Sequence, residues 1–186
     1  MPSEGQPHRR GVDSLRGRLA RRVQDAAAGG PWRYLVGATA LCFAVKLPTS
    51  LLARAIFTDR DGSLVRLLVD EGRLTAAALG YIVLLAPVWE TAVAQVVPIT
   101  AVRRVGGGTG VALVVSAAVF VALHALDGAA EMLTLTPVGI VLAGTYLLWE
   151  ERGWPTAFAM TAGVLVMHNA VAVFLPLTLL RAGIFS

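Results

Sequence analysis

Four stretches of this chain, Leu74 to Val102, Thr109 to Leu126, Met132 to Trp149 and Gly153 to Leu180, each run for eighteen or more residues with at most one charged side chain. A helix needs ~20 mostly apolar residues to cross a bilayer. Inside hydrocarbon every backbone N–H and C=O must be bonded within the protein, so apolar runs of this length fold as transmembrane helices. A fifth candidate, Tyr34 to Phe57, is interrupted by Lys46, Pro48 and Arg54. It reads as a kinked span, a snorkelling one or a shorter re-entrant piece. Counted as a span, it makes the chain an all-α, polytopic transmembrane bundle of about five helices. Composition excludes an ordinary soluble domain, with 56% of the 186 residues hydrophobic and 15% charged.

The charge is unevenly placed. Seven of the sixteen basic residues, Arg9, Arg10, Arg16, Arg18, Arg21, Arg22 and Arg33, precede the first apolar run, against three acids. Residues 1–33 therefore read as an Arg-rich cytoplasmic arm on anionic headgroups and 34–186 as the membrane domain. Nucleic acid is the competing partner of such an arm, but this one is short, lacks interleaved aromatics and adjoins a span, so the bilayer is the expected partner. Its length and polarity do not fit a cleavable signal. Between the first two runs, Leu64, Leu67 and Leu68 of the 58–73 segment fall on one helical face, as in an interfacial amphipathic helix or a solvated loop helix. With five spans and the arm inside, the 103–108 and 150–152 loops are cytoplasmic and the 127–131 turn, free of Lys and Arg, is external. The expected location is the cell membrane, with a cytoplasmic N-terminus.

Several chemistries are excluded by their motifs. The glycines at 106–108 and 110 lack the Gly-Lys-Ser/Thr ending of a phosphate loop. No His-Glu-x-x-His occurs, and Asp127 has no second intramembrane aspartate with which to form a catalytic pair. The single Cys42 allows no internal disulfide and reads as a small apolar filler.

Glu90, His124 and His168 remain, each on a different apolar run. A carboxylate at mid-span costs several kcal/mol by insertion scales, roughly 2.5 to 3.5 for an aspartate, which makes Glu90 a functional candidate. Phe120 lies one helical turn before His124, so its ring can pack under the imidazole. Small residues on the same helices, among them Ala94, Ala117 and Ala170, allow close approach around a water-filled cavity. Each of the three also has a purely structural reading. Glu90 can pair with Lys46, His124 can reach headgroups, and His168 can hydrogen-bond between helices with Asn169 or Gln95 as neighbours. One glutamate and two histidines also match a zinc donor set, although no sequence spacing supports a metal.

These residues sit in a recognisable order. Ala86-Pro87-Val88-Trp89-Glu90-Thr91, Phe120-Val121-Ala122-Leu123-His124 and His168-Asn169-Ala170-Val171-Ala172 resemble the three motifs of the CPBP family. These are the CAAX protease and bacteriocin-processing, or Abi, group of glutamic-type intramembrane proteases. The resemblance is strongest over residues 74–180. It implies an intramembrane endopeptidase, acting without a cofactor on a membrane-associated protein or peptide. Glu90 would take a proton from water, His124 would assist it or stabilise the oxyanion, and His168 would complete the oxyanion site. Thr91 and Gln95 stand where the family has its second glutamate and an arginine, and Ala172 where it has an asparagine, with Asn169 out of register. Loss of one oxyanion donor typically costs ~10² to 10³ in rate, so a slow enzyme is expected. The alternative is a catalytically impaired relative that binds or shields a membrane peptide, as an immunity or scaffold protein would. His124 lies near the end of its run, which along ideal helices would separate it in depth from Glu90 and His168 by ~10 Å.

Overall fold

A computed structural model describes residues 29–57 and 75–181 of the chain. Most of the Arg-rich arm and the 58–73 segment lie outside the described residues. The chain divides into two units, Met1–Tyr34 and Leu35–Ser186. Of the first, the described part is a turn and the opening of a helix. Gly30, at φ +100°, precedes Pro31, whose fixed φ suits the first helical position.

The second unit is helical throughout most of its described residues and forms a membrane-type bundle. Its elements are α1 (Pro31–Ile56, entered from the first unit), α2 (Ala76–Arg104), α3 (Thr109–Leu123), α4 (Ala129–Trp149) and α5 (Trp154–Arg181). Short 3₁₀ turns at Ala125–Asp127 and Glu150–Arg152 lead into α4 and α5. Each turn ends in a glycine at positive φ, Gly128 at +95° and Gly153 at +96°, a conformation that costs any residue with a Cβ.

Four helices, α1, α2, α4 and α5, are long and apolar enough to cross a membrane. The interrupted first run is thus one continuous helix, with Pro48 inside it. Its length of 26 residues gives ~39 Å, more than the hydrocarbon thickness. The run expected to span from Thr109 to Leu126 is instead the short helix, with 15 residues and ~22 Å. Large apolar side chains such as Leu47, Leu51, Leu84, Leu85 and Val114 stay exposed on the helices, as lipid-facing residues do.

The core is built on α3 and α4, which make the most extensive contact, with α5 against α4 and with α2 against α3 and α5. Gly139 of α4 makes the approach possible. A Cβ there would come within 3.0 Å of Phe120 Cδ1 and 3.2 Å of the Ala117 carbonyl oxygen. Phe120, Val138, Leu142 and Tyr146 fill the seam and are almost completely buried. Threonines inside the helices return their hydroxyls to carbonyls one turn back, as Thr145 does to Val141 O at 2.8 Å and Thr161 to Ala157 O at 2.8 Å.

α1 makes no backbone contact of that extent and is joined by side chains. Thr39 Oγ1 reaches Val164 O of α5 at 3.5 Å, and Thr49 Oγ1 lies 3.3 Å from Thr134 O of α4. Lys46 Nζ meets Glu131 Oε1, at the start of α4, at 3.6 Å. The alternative reading in which Glu90 pairs with Lys46 is not the one found: the lysine reaches the N-terminal turn of α4, where a carboxylate is favoured by the helix dipole. At the other end of the bundle, Arg103 of α2 pairs with Glu150 at 3.4 Å, which places the 103–108 and 150–152 loops on one side. Arg152 stacks 4.5 Å from the centroid of buried Trp149, a packing aromatic, while Trp154 stays exposed.

Candidate active site

Glu90 is carried by the least regular helix of the bundle, and two prolines explain why. Proline has no N–H to give and its ring crowds the carbonyl four residues earlier. In α2, π-helical turns at Tyr81–Leu85 and Ala92–Val96 lie just before Pro87 and Pro98, where the wider turn relieves that crowding. In the first π turn Ala86 N–H donates to Tyr81 O, so in the same register Ile82 O faces the nitrogen of Pro87, which carries no hydrogen. Asn169 Nδ2 of α5 donates to Ile82 O at 3.0 Å. Near the second, Val97 N–H donates to Ala92 O, so in the same register Val93 O faces the nitrogen of Pro98 and Ala94 O is the next carbonyl along. Ser116 Oγ of α3 lies 2.7 Å from Ala94 O and also against Gln95 Oε1, with one hydroxyl proton to give. Glu90 sits between the two π turns, in the short α-helical segment Ala86–Thr91, and is half-buried.

His124 owes its position to the end of α3. The backbone turns at His124 to φ −101°, ψ 14°, and its N–H bonds Val121 O at 3.0 Å rather than the carbonyl one full turn back. The vacated carbonyl, Phe120 O, is taken by the histidine's own ring, Nδ1 lying 2.9 Å away. Because a carbonyl only accepts, Nδ1 carries the hydrogen, which leaves Nε2 as the nitrogen available to the cavity. The Phe120 ring packs beside it at 5.0 Å between centroids and a tilt of 52°. α3 ends at Leu123, and the depth offset expected from regular helices does not keep His124 from lining the same cavity as the other two residues.

His168 lies on α5, is 3% exposed, and stacks on Phe43 of α1 with centroids 4.4 Å apart and planes 30° apart. Its Nδ1 is buried with no hydrogen-bond partner among the described residues. The interhelical hydrogen bond considered for it is absent there, since Asn169 is engaged with Ile82 O and Gln95 with Ser116.

Glu90, His124 and His168 all line one cavity of about 140 Å³, together with Phe120, Asn169 and Ala172. That volume has room for several waters, and the lining supplies polar partners for them. Glu90 is within Coulombic range of His124 and Asp127. Ala172 brings no amide to the wall. Thr91 and Gln95 do not line the cavity. They are 1% exposed within the bundle, and Thr91 Oγ1 and Gln95 Nε2 have no hydrogen-bond partner among the described residues. Among the described residues, no group of three His, Cys, Asp or Glu side chains lies together as a metal-holding cluster.

Besides the apolar wall of Leu135, Val138 and Leu165, the site holds residues not assigned to it from sequence: Lys46 and Glu131, which line the cavity, and Phe43, which stacks on His168. A charge inside an apolar run marks Lys46 in the sequence. Glu131 and Phe43 carry no such mark, because their role depends on how α1 meets α4 and α5.

These features define a multi-pass helical membrane protein with Glu90 and two imidazoles around one partly open cavity. The chain belongs to the Rce1-like family: residues 72–165, just over half of it, match the family described as type II CAAX prenyl endopeptidase Rce1-like. No curated protein and no solved structure matches the chain. Glu90 and His124 fall within the matched residues, whereas α1 precedes them and His168 follows their end.

Proposed function

We propose that the protein is an intramembrane endopeptidase that hydrolyses a membrane-associated protein or peptide with a water activated by Glu90. The observation that carries this reading is the shared cavity, in which the Glu90 carboxylate and the two imidazoles face a space large enough for water. Glu90 removes a proton from water as the oxygen attacks the scissile carbonyl carbon. The oxyanion forms beside the imidazoles, where a donated hydrogen bond counts for more than in bulk water. His124 in its protonated form donates from Nε2, since Nδ1 is held by Phe120 O. His168 donates from whichever ring nitrogen bears hydrogen. As the C–N bond breaks, the proton held by Glu90 passes to the leaving amine, which restores the carboxylate. No step is routed through a metal or cofactor. The bundle belongs in the cell membrane with its N-terminus in the cytoplasm, where the Arg-rich arm meets anionic headgroups.

A second reading is favoured by one observation. Ala172 lines the cavity without an amide, so the wall lacks a neutral oxyanion donor at that point. A protein that binds or shields a membrane peptide would need none.

The two readings separate in one experiment. Membrane-proteome N-termini are compared between cells carrying wild type and Glu90→Gln, His124→Ala or His168→Ala at matched expression. The enzyme predicts cleavage products that fall at least ~10²-fold in Glu90→Gln, the scale of a lost general base, and fall in both histidine variants. Identical termini in all four strains, with every variant folded in the membrane, would leave the shielding role.

A further inference from the structure

Glu90 reaches the cavity from a segment that its own helix does not hold in place. The segment Ala86–Thr91 is bounded on each side by a π turn, and a proline follows each turn closely, so backbone hydrogen bonding is interrupted above and below it. At both interruptions a polar side chain from a different helix occupies a carbonyl. Asn169 of α5 holds Ile82 O at 3.0 Å, and Ser116 of α3 holds Ala94 O at 2.7 Å. In hydrocarbon an unbonded carbonyl costs several kcal/mol, so these two bonds have no solvent substitute. They also tie the segment to the helices that bear the histidines. Asn169 adjoins His168 in sequence, and Ser116 lies on the same α3 stripe as Phe120 and His124, at successive four-residue steps.

We propose that Asn169 and Ser116 are positioning residues for Glu90. Asn169 clamps the carbonyl that Pro87 leaves without its N–H, Ser116 clamps the carbonyl next to the one that Pro98 faces, and together they fix the rotation and depth at which the carboxylate faces His124 and His168. Asn169 thus acts on the backbone of the helix opposite, out of register with the cavity-lining Ala172. The proposal rests on Glu90 being the water-activating group, but the clamp itself can be tested without a substrate.

The test uses the proline as the control. Pro87→Ala returns an N–H to the position facing Ile82 O, so the Asn169 amide is no longer required there. Wild type, Asn169→Leu, Pro87→Ala and the double variant are prepared in a Cys42→Ala, Glu90→Cys background, in lipid nanodiscs. The rate at which the single thiol, now at position 90, reacts with a water-soluble maleimide then reports where that side chain sits. The expected result is a change of roughly tenfold for Asn169→Leu alone, mostly reversed when Pro87→Ala is added. A residue that merely stabilises the bundle would shift the rate by the same factor with or without Pro87, and that additive outcome overturns the proposal. The same four sequences with Glu90 and Cys42 restored are then assayed for cleavage. Loss of the clamp lowers kcat on the order of 10- to 100-fold with KM little changed, since misplacement of a catalytic group by about 1 Å has that scale, and Pro87→Ala again restores most of it. Coupling in the labelling rates with no cleavage by wild type would sustain the clamp while removing the protease reading. Unchanged labelling rates with cleavage present would remove the clamp alone.

Discussion

α1 and α4 are almost equally apolar, with mean hydropathies of 1.7 and 1.6 over their spans, yet 17% of the first span is buried and 50% of the second. In a soluble protein such a difference in burial would show as a difference in hydrophobicity. In a bilayer it does not, because lipid tails solvate a leucine as well as another helix does. Here the small residues and polar atoms decide. α4 presents Gly139 to α3 and draws in Phe120, whereas α1 is joined by threonine hydroxyls, one ion pair, one ring stack and Leu35, whose side chain reaches Gly163 of α5. Both helices nevertheless reach the cavity, α4 through Leu135 and Val138 and α1 through Lys46.

Equal truncations on the two sides give the largest expected contrast. Phe120, 1% exposed in the α3–α4 seam, should cost about 3 kcal/mol on replacement by alanine, the lower end of the core range because lipid rather than water receives the lost surface. Phe43→Ala on α1 removes a half-buried ring and its stack on His168, which is worth about 1 kcal/mol. Reversible unfolding in mixed micelles measures both. Equal losses would mean that α1 is packed as firmly as the seam, contrary to its backbone separation.

Adding volume inverts the operation and should give a somewhat smaller difference. Gly139→Leu forces side-chain atoms into Phe120 and the Ala117 carbonyl and should destabilise by about 2 kcal/mol. At Gly37, on α1, an added Cβ meets nothing within 4 Å, and Gly37→Ala should stay within about 0.5 kcal/mol of wild type. A large cost at Gly37 would show that something covers that face of α1 in the membrane.

The same contrast explains what the sequence disclosed. Long apolar runs are a one-dimensional signal, so the helical bundle and its approximate spans were readable from them. Glu90 was readable because an unpaired carboxylate in such a run is costly, and His124 and His168 followed from the motif order. Which runs were complete spans was harder to read. Lys46, Pro48 and Arg54 left the first run open between a kinked span, a snorkelling one and a re-entrant piece; it is one continuous helix, in which Lys46 finds Glu131. The end of α3 at His124 was hidden because Ala125 and Leu126 are as apolar as the residues before them, and the turn is made by a ring capping its own helix. The partner of Lys46 and the roles of Asn169 and Ser116 depend on the rotation of one helix against another. Periodicity carries no information about that rotation when a helix is apolar all round.

The smallest effect separates the polar ties. Lys46–Glu131 joins α1 to α4 at 3.6 Å, and Arg103–Glu150 joins the end of α2 to the turn before α5 at 3.4 Å, with the side chains 26% and 40% exposed in the first pair and 37% and 33% in the second. Distance and exposure thus hardly distinguish them, and solvent reaches both, so each coupling should stay under about 1 kcal/mol. Their surroundings differ: Lys46 and Glu131 line a cavity within the bundle, whereas Arg103 and Glu150 lie where bulk salt has access. Double-mutant cycles with Lys46→Met and Glu131→Gln, and with Arg103→Met and Glu150→Gln, should give about 0.5 to 1 and about 0.2 to 0.5 kcal/mol at low salt. At 1 M salt, where screening acts over ~3 Å, the loop coupling should vanish and the α1 coupling should persist in part. If both vanish together, bulk solution fills the cavity and the ion pair contributes no more to holding α1 than a surface bridge would. The stack on His168 and the threonine bonds would then be the ties that keep this loosely packed helix against the site.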